Sequence, residues 1–262
     1  TNTESVRTNC GESMIELLPQ YKDADIKNGR SWYDIDGVRH VRVTTSLNVI
    51  NKPALVPWAI KNTTAKMRAV MESGMGTTID PVWIEEALTA AKSSSDDARD
   101  EAAARGNAIH EAIYKWETLG ERPDDLGILQ AVQAYDAWRA TTSMEVMASE
   151  MTVWSPTDQY AGTIDQVCRK TNGHWSVVDF KTGGAYPEAA LQVAAYANGL
   201  EELTGIPVDD AWILRIPRDQ PLDGSPQFFT KYMTSEHIQA NFEAFRNALY
   251  LKRALDGELW TE

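Results

Sequence analysis

The chain has 262 residues, 43% of them hydrophobic, and can bury a full core as one large domain or as a core with an appended lobe. A formal net charge of -13 excludes a protein that coats nucleic acid through overall positive charge, and two cysteines, Cys10 and Cys168, are too few for a disulfide framework or a four-cysteine iron–sulfur cluster. Because the sequence has neither a long apolar run nor a secretory signal, we expect a cytoplasmic protein without membrane contact.

A β-hairpin is the first element that the sequence predicts. Residues 31–43 alternate polar and apolar side chains on either side of Asp36-Gly37. An Asp-Gly pair between two such runs favours a two-residue turn joining antiparallel strands.

The stretch from Gly37 to Met71 differs in charge from the rest of the chain. It has no Asp or Glu, yet it carries six basic residues. Either this is a solvated face that happens to lack acids, or it binds the phosphates of a nucleic acid. Under the second interpretation, Lys52, Lys61 and Arg68 are the DNA-binding residues to test.

Four helices are predicted between this stretch and the middle of the chain. Apolar residues at helical spacing, with Pro and Gly at the ends, set their limits. The predicted helices are 58–71, 81–91, 96–118 and 125–141, and Ser93–Ser95 is predicted to be a turn or short linker.

The second half is predicted to alternate strands and helices. A Gly183-Gly184 pair releases the chain into a helix that ends at Gly205, and a last helix is predicted over 235–255. The predicted strands are 151–154, 162–169, 174–181, 211–216 and 227–233, with a hairpin turn at Asn172-Gly173.

Charged side chains lie on two of these strands. Asp165 is in the second, and Asp179 and Lys181 are in the third, two residues apart and therefore on one face. Unpaired charges are costly away from water, so a strand that carries them is predicted to bind something. Aspartates on adjacent strands supply oxygen ligands for Mg²⁺ or Mn²⁺, and a nearby lysine can orient water or stabilise charge on a phosphate. The pattern predicts phosphodiester hydrolysis.

Four further polar residues are candidates for the same site. Taken alone, His110 is typical of a structural histidine at the edge of a buried helical stripe, and Glu150 of a solvated charge at a strand end. Gln192 and Tyr196 are four residues apart and share one face of a helix, where they either pack or hold a phosphate.

The order of these residues resembles a known family. A helix with Gly-x-x-x-His at 106–110 is followed by Gly-Thr-Ile-Asp at 162–165, Asp-Phe-Lys-Thr-Gly at 179–183 and Gln-x-x-x-Tyr at 192–196. This arrangement is similar to the RecB-type exonuclease branch of the PD-(D/E)XK nucleases, which includes many stand-alone phage exonucleases. The resemblance is close over residues 106–196 and looser on either side.

The resemblance implies a role for each matching residue. It implies that His110, Asp165, Asp179 and the backbone carbonyl of Phe180 bind a catalytic Mg²⁺ or Mn²⁺, and that Lys181 is the catalytic lysine. Gln192 and Tyr196 would help to hold the DNA strand, and Glu150 is a candidate for a second metal. No iron–sulfur cluster is expected.

The expected fold is α/β, with a mixed central sheet flanked by helices, as in restriction endonucleases. A hairpin and helical lobe over residues 1–95 would contact DNA, and residues 96–262 would form the nuclease core. If the protein is phage-encoded, the cytoplasm is that of the bacterial host, and a recombinase or single-strand-binding protein is the partner to test.

Three functions stay open at this point. We expect a metal-dependent DNA exonuclease acting in recombination, repair or phage replication. A structure-specific or sequence-specific endonuclease, or a non-catalytic DNA-binding accessory protein of recombination, are the alternatives. Intact Asp165, Asp179 and Lys181 argue against the last.

Overall fold

The computed structural model describes residues 24–75, 80–221 and 225–258. Within them the chain forms a mixed sheet with flanking helices, which confirms the predicted α/β class. The strands are β1 (Ile26–Asn28), β2 (Trp32–Ile35), β3 (Val38–Arg42), β4 (Met144–Ser155), β5 (Tyr160–Lys170), β6 (Trp175–Lys181), β7 (Asp210–Arg215) and β8 (Phe229–Thr234). The helices are α1 (Val43–Ser46), a 3-10 turn (Leu47–Val49), α2 (Leu55–Ser73), α3 (Pro81–Leu119), α4 (Leu126–Ala140), α5 (Glu188–Thr204) and α6 (Ser235–Leu255).

Strand β5 is the centre of the sheet. One of its edges pairs antiparallel with β4. The other edge pairs with two strands: with β3, in parallel, near residue 160, and with β6, antiparallel, near residue 168. The order continues outward as β3-β2-β1 on one side and as β6-β7-β8 on the other. The predicted hairpin is therefore confirmed, and it belongs to the same sheet as the later strands. Its turn residues Asp36 and Gly37 have φ of 53° and 80°, as a two-residue hairpin turn requires.

Helix α3 corrects one prediction. The serine-rich segment Ser93–Ser95 is not a linker, because the helix continues through it from Pro81 to Leu119. The hydroxyl of Ser93 donates to the carbonyl of Ala90 (3.4 Å) and that of Ser94 to the carbonyl of Ala91 (2.7 Å). Serine side chains can thus bond back to the preceding turn and stay inside a helix, which composition alone does not reveal.

The later helices begin and end close to the predicted residues. Asp125 accepts a bond from the backbone N–H of Ile128 (2.9 Å) and caps α4. Gly205, with φ of 69°, ends α5 in the left-handed conformation that glycine adopts at little cost. Thr234 caps α6.

Two apolar cores lie on the two faces of the sheet. Val177, Ala211 and Ile213 belong to one core, which α5 and α6 complete. Val178 and Leu214, the alternate residues of the same strands, belong to the other, which α4 and the last turns of α3 complete. Both faces of β6 and β7 are therefore covered, and this explains their nearly continuous apolar sequence.

The chain divides into two compact units whose limits differ from the predicted pair. One comprises the described parts of Thr1–Ile50 and Ile109–Glu262, and so contains the whole sheet. The other comprises the described parts of Asn51–Ala108, with α2 and most of α3. None of the helices in the described ranges is long and apolar enough to cross a membrane.

Candidate metal centre

Strands β5 and β6 bring two buried carboxylates into the first unit. Asp165 and Asp179 are 8% and 2% exposed, whereas most aspartates lie at protein surfaces. They are on neighbouring strands, because Gln166 pairs with Val178. Buried carboxylates have to be hydrogen-bonded or paired with a cation, and both kinds of partner are present here.

Asp165 is held by two groups from different elements. One carboxylate oxygen, Oδ1, lies 3.1 Å from Nδ1 of His110, in the C-terminal third of α3. The other accepts a short hydrogen bond from the backbone N–H of Phe180. The Phe180 ring also meets the imidazole edge to face, with 5.7 Å between ring centroids. Both contacts restrict the orientation of the carboxylate and of the imidazole.

Glu150 completes a cluster with these two residues. One ligand atom each from His110, Glu150 and Asp165 lies within 4.8 Å of the others. Glu150 is inside β4, where flanking pairs Ser149–Gln166 and Met151–Ile164 place it opposite Asp165. Its φ is 52°, a left-handed conformation that costs a non-glycine residue about 1–2 kcal/mol. Strain of this kind concentrates at functional sites.

Asp179 has a different set of partners. Its Oδ2 forms an ion pair with Nζ of Lys181 at 2.5 Å, and its Oδ1 accepts a hydrogen bond from Nε2 of Gln192 at 3.1 Å. The same Gln192 nitrogen donates to the hydroxyl of Tyr196 at 2.9 Å. Helix α5 therefore contacts the carboxylate–lysine pair through the two residues of its Gln-x-x-x-Tyr motif.

The crowding of acids changes proton affinities throughout the site. Burial acts to lower the pKa of His110, but the carboxylate of Asp165, with Asp179 and Glu150 behind it, raises it overall. Partial loss of solvent and the charges of Asp165 and Asp179 raise the pKa of Glu150 to about 7. Burial likewise raises the pKa of Asp179, against the opposing effect of Lys181. So much negative charge in one place favours a bound cation.

Lys181 is protonated in this environment. Burial acts to lower its pKa, but the adjacent Asp179 and then Asp165 raise it overall. Burial and the charge of Asp179 also raise the pKa of Tyr196 well above its ordinary value. The ammonium group and the phenol therefore both remain proton donors at neutral pH.

The donor set fits a divalent cation. Two carboxylates, which repel each other, and one imidazole offer the oxygen and nitrogen ligands that Mn²⁺ and related ions accept. Carboxylate oxygens are also the usual protein ligands of Mg²⁺. His110, Glu150 and Asp165 are thus a candidate metal group.

The structure distributes the predicted site residues over both units. The contacts described above link seven of them: His110, Asp165, Asp179, Phe180, Lys181, Gln192 and Tyr196. Asp179 is not part of the three-residue metal group. Its role as a metal ligand, and that of the Phe180 carbonyl, stay predictions. Lys52, Lys61 and Arg68 are exposed residues of the other unit. The sequence predicted Glu150 just before a strand that begins at residue 151. In the structure β4 already begins at Met144, so Glu150 lies inside the strand and opposite Asp165.

Comparisons with known proteins give only distant likenesses. No protein-family model matches the sequence, and no curated protein matches it significantly. The fold resembles an alkaline exonuclease, LHK-Exo, from Laribacter hongkongensis at 14% identity, with a TM-score of 0.35 over 83% of this chain and 93% of the other. A structure of LHK-Exo in complex with dAMP matches at 14% identity and a TM-score of 0.28, over 59% and 86%.

Proposed function

We propose that this protein is a metal-dependent nuclease that hydrolyses phosphodiester bonds in DNA. The observation that carries the proposal is the juxtaposition of a His–Glu–Asp group with the buried Asp179–Lys181 pair. The acidic group suits a divalent cation, and the lysine suits a phosphate. Phosphodiester hydrolysis uses both together, because the ion activates water and the two cations neutralise charge on the phosphate.

Each residue has a part in this proposal. His110, Glu150 and Asp165 hold the cation, and Asp179 is a further ligand or fixes Lys181. The chemistry that such an ion supplies is neutralisation of phosphate charge and activation of water as a nucleophile. Lys181 orients the attacking water and stabilises charge on the phosphoryl oxygens. Its raised pKa favours this electrostatic role over removal of a proton.

Helix α5 would serve to fix the substrate. Gln192 already donates to Asp179 and to the Tyr196 hydroxyl, so its amide oxygen is left to accept or exchange bonds when a nucleotide binds. The bonds between Gln192, Tyr196 and Asp179 would then couple the position of the DNA strand to that of the carboxylate–lysine pair.

An exonuclease of the RecB-type PD-(D/E)XK branch, acting in recombination, repair or phage replication, is the specific form that we favour. The four ordered motifs between residues 106 and 196 support it. A structure-specific or sequence-specific endonuclease would use the same residues, and a non-catalytic DNA-binding protein would not need the lysine.

The test is incubation with Mg²⁺ or Mn²⁺ and two substrates, end-labelled linear duplex and covalently closed circular duplex of the same sequence. Degradation of the linear DNA alone supports the exonuclease. Cleavage of both supports an endonuclease. If neither is cut, with single-stranded DNA included as a third substrate, the nuclease proposal is wrong.

A further inference from the structure

Cationic and aromatic side chains continue the site across the sheet. Lys181 of β6 pairs in register with Arg215 of β7, which pairs with Phe229 of β8. One row back, Asp179 pairs with Ile213, and Ile213 with Lys231. Residues in register on adjacent strands, and residues two apart on one strand, project from the same face. Arg215, Phe229 and Lys231 therefore share the face of Asp179 and Lys181. We call these three residues the β7–β8 row.

The cations of this row are available to a ligand. Among the described residues, neither Arg215 nor Lys231 forms an ion pair, although the protein carries a net charge of -13. Arg215 donates from Nε to the carbonyl of Gly183 at 2.8 Å, and its two terminal nitrogens have no acceptor among the residues that the structure describes. Lys231 has only a 3.5 Å contact with the carbonyl of Ala185. A guanidinium held by Nε presents its two outer N–H groups in the geometry that binds phosphate.

Phe229 supplies an apolar platform next to these cations. It is 46% exposed on an edge strand, where burial does not account for an aromatic side chain. The guanidinium of Arg215 covers one side of the ring at 5.1 Å from its centroid. An exposed aromatic ring backed by arginine is a surface on which a nucleobase stacks, whatever its sequence.

We infer that the β7–β8 row is a subsite for single-stranded DNA beside the proposed active site, with a base stacked on Phe229 and its phosphates bound by Arg215 and Lys231. This inference rests on the proposed function for the identity of the ligand. Strands are about 4.8 Å apart, so β8 is about 10 Å from β6, which corresponds to about three nucleotides at a rise of 3.4 Å. A base can stack on Phe229 only when it is unpaired, and the substrate end would therefore be melted or single-stranded over this distance.

Binding is measured by fluorescence anisotropy with a labelled ten-nucleotide oligothymidine, in chelator so that no cleavage occurs. The test variants are Phe229→Ala and Lys231→Gln, since Arg215 also holds Gly183. Tyr232→Ala is the matched aromatic control, because Tyr232 is 50% exposed on the same strand but on the other face of the sheet. Lys27→Gln is the lysine control, on β1 at the other end of the sheet.

Phe229→Ala should weaken binding about tenfold, and Tyr232→Ala should leave it within about twofold. Lys231→Gln should lower the slope of log affinity against log salt by about 0.7, and Lys27→Gln should not change it. Equal effects of Phe229→Ala and Tyr232→Ala, an unchanged slope for Lys231→Gln, or no binding by the wild type would each overturn the inference.

The proposed function is tested separately. Cleavage of linear DNA by the wild type with Mn²⁺ is scored in a parallel assay. A wild type that cleaves, with row variants that bind normally, contradicts the subsite alone. A wild type that binds but does not cleave, with row variants that bind weakly, contradicts the nuclease and supports the subsite.

Discussion

The ring of Tyr196 lies directly over Gly162, so that a Cβ atom at Gly162 would overlap the ring. Gly162 is in the first half of β5, three residues before Asp165, and Tyr196 is only 4% exposed. The contact joins the Gly-Thr-Ile-Asp and Gln-x-x-x-Tyr motifs, since the absence of a side chain in one makes room for the ring of the other.

Gly162→Ala should therefore destabilise the protein and displace Tyr196. Inserting a methyl group into a filled core costs about 1–3 kcal/mol, measured as the free energy of unfolding in urea. The control is Gly183→Ala, because a Cβ there has no neighbour within 4 Å. Equal stability of the two variants would mean that the ring moves aside freely.

Metal should stabilise the folded protein through the His–Glu–Asp group. At a concentration of Mn²⁺ one hundred times its Kd, the free energy of unfolding should rise by about 2.7 kcal/mol. Glu150→Gln should weaken Mn²⁺ binding, followed by calorimetry, at least about tenfold, whereas Glu145→Gln on the same strand should not. Cleavage should stop in excess chelator. Activity that persisted at full rate there would exclude the metal mechanism.

Lys181→Ala should lower cleavage by about 10²- to 10³-fold without abolishing DNA binding. The lysine acts on charge that develops in the reaction, and loss of one such donor lowers kcat by about 10²- to 10³-fold. Its loss also leaves the buried carboxylate of Asp179 without its cation, so the pKa of Asp179 should rise further. Asp179→Asn, which removes that carboxylate but keeps Lys181, is the variant to compare with Lys181→Ala. Near-normal turnover by Lys181→Ala would exclude the lysine from the mechanism.

The part of the basic stretch that lies in the second unit gives a prediction about affinity. Lys52, Lys61 and Arg68 are exposed, and replacing all three with Gln should weaken duplex binding and lower the salt slope by about 0.9 for each lost phosphate contact. Cleavage of saturating substrate should hardly change. The control is a second triple variant, in which Gln replaces three lysines that already form ion pairs with acids: Lys27, Lys115 and Lys252. Identical slopes for both triple variants would show that the stretch is only a solvated face.

Local rules predicted the elements with strong turn and cap signals. The Asp36-Gly37 hairpin and the last helix are where the sequence indicates, because turn chemistry and helical spacing are properties of neighbouring residues. Strand β1, three residues long, has no such signal. The continuity of α3 through its serines depends on bonds that these side chains make only once a helix has formed.

The sequence predicted which residues form the site, but it did not predict which of them form the three-residue metal group. Asp165, Asp179 and Lys181 are recognisable because charge is rare in an apolar strand. In the structure, Lys181 pairs with Asp179, and the backbone N–H of the next residue, Phe180, donates to Asp165. The place of Glu150 depends on the register of β4 against β5 and on its positive φ. Neither is a local property of the sequence, since register is set by the whole pair of strands.

The pairing of β5 on both edges has a consequence for hydrogen exchange. Amide protons in a strand that is bonded on both sides exchange only when much of the protein unfolds, whereas those at edges and helix ends exchange through local opening. The amides of Val167 and Cys168, which pair with both β4 and β6, should therefore be among the slowest to exchange, in the presence or absence of metal. The segment of α3 around His110 should gain protection when metal binds, because the imidazole would then be held by the ion as well as by Asp165. The ordering that accompanies metal binding would then be confined to the helical side of the centre, while the part of β5 that follows Asp165 is already fixed by pairing on both of its edges.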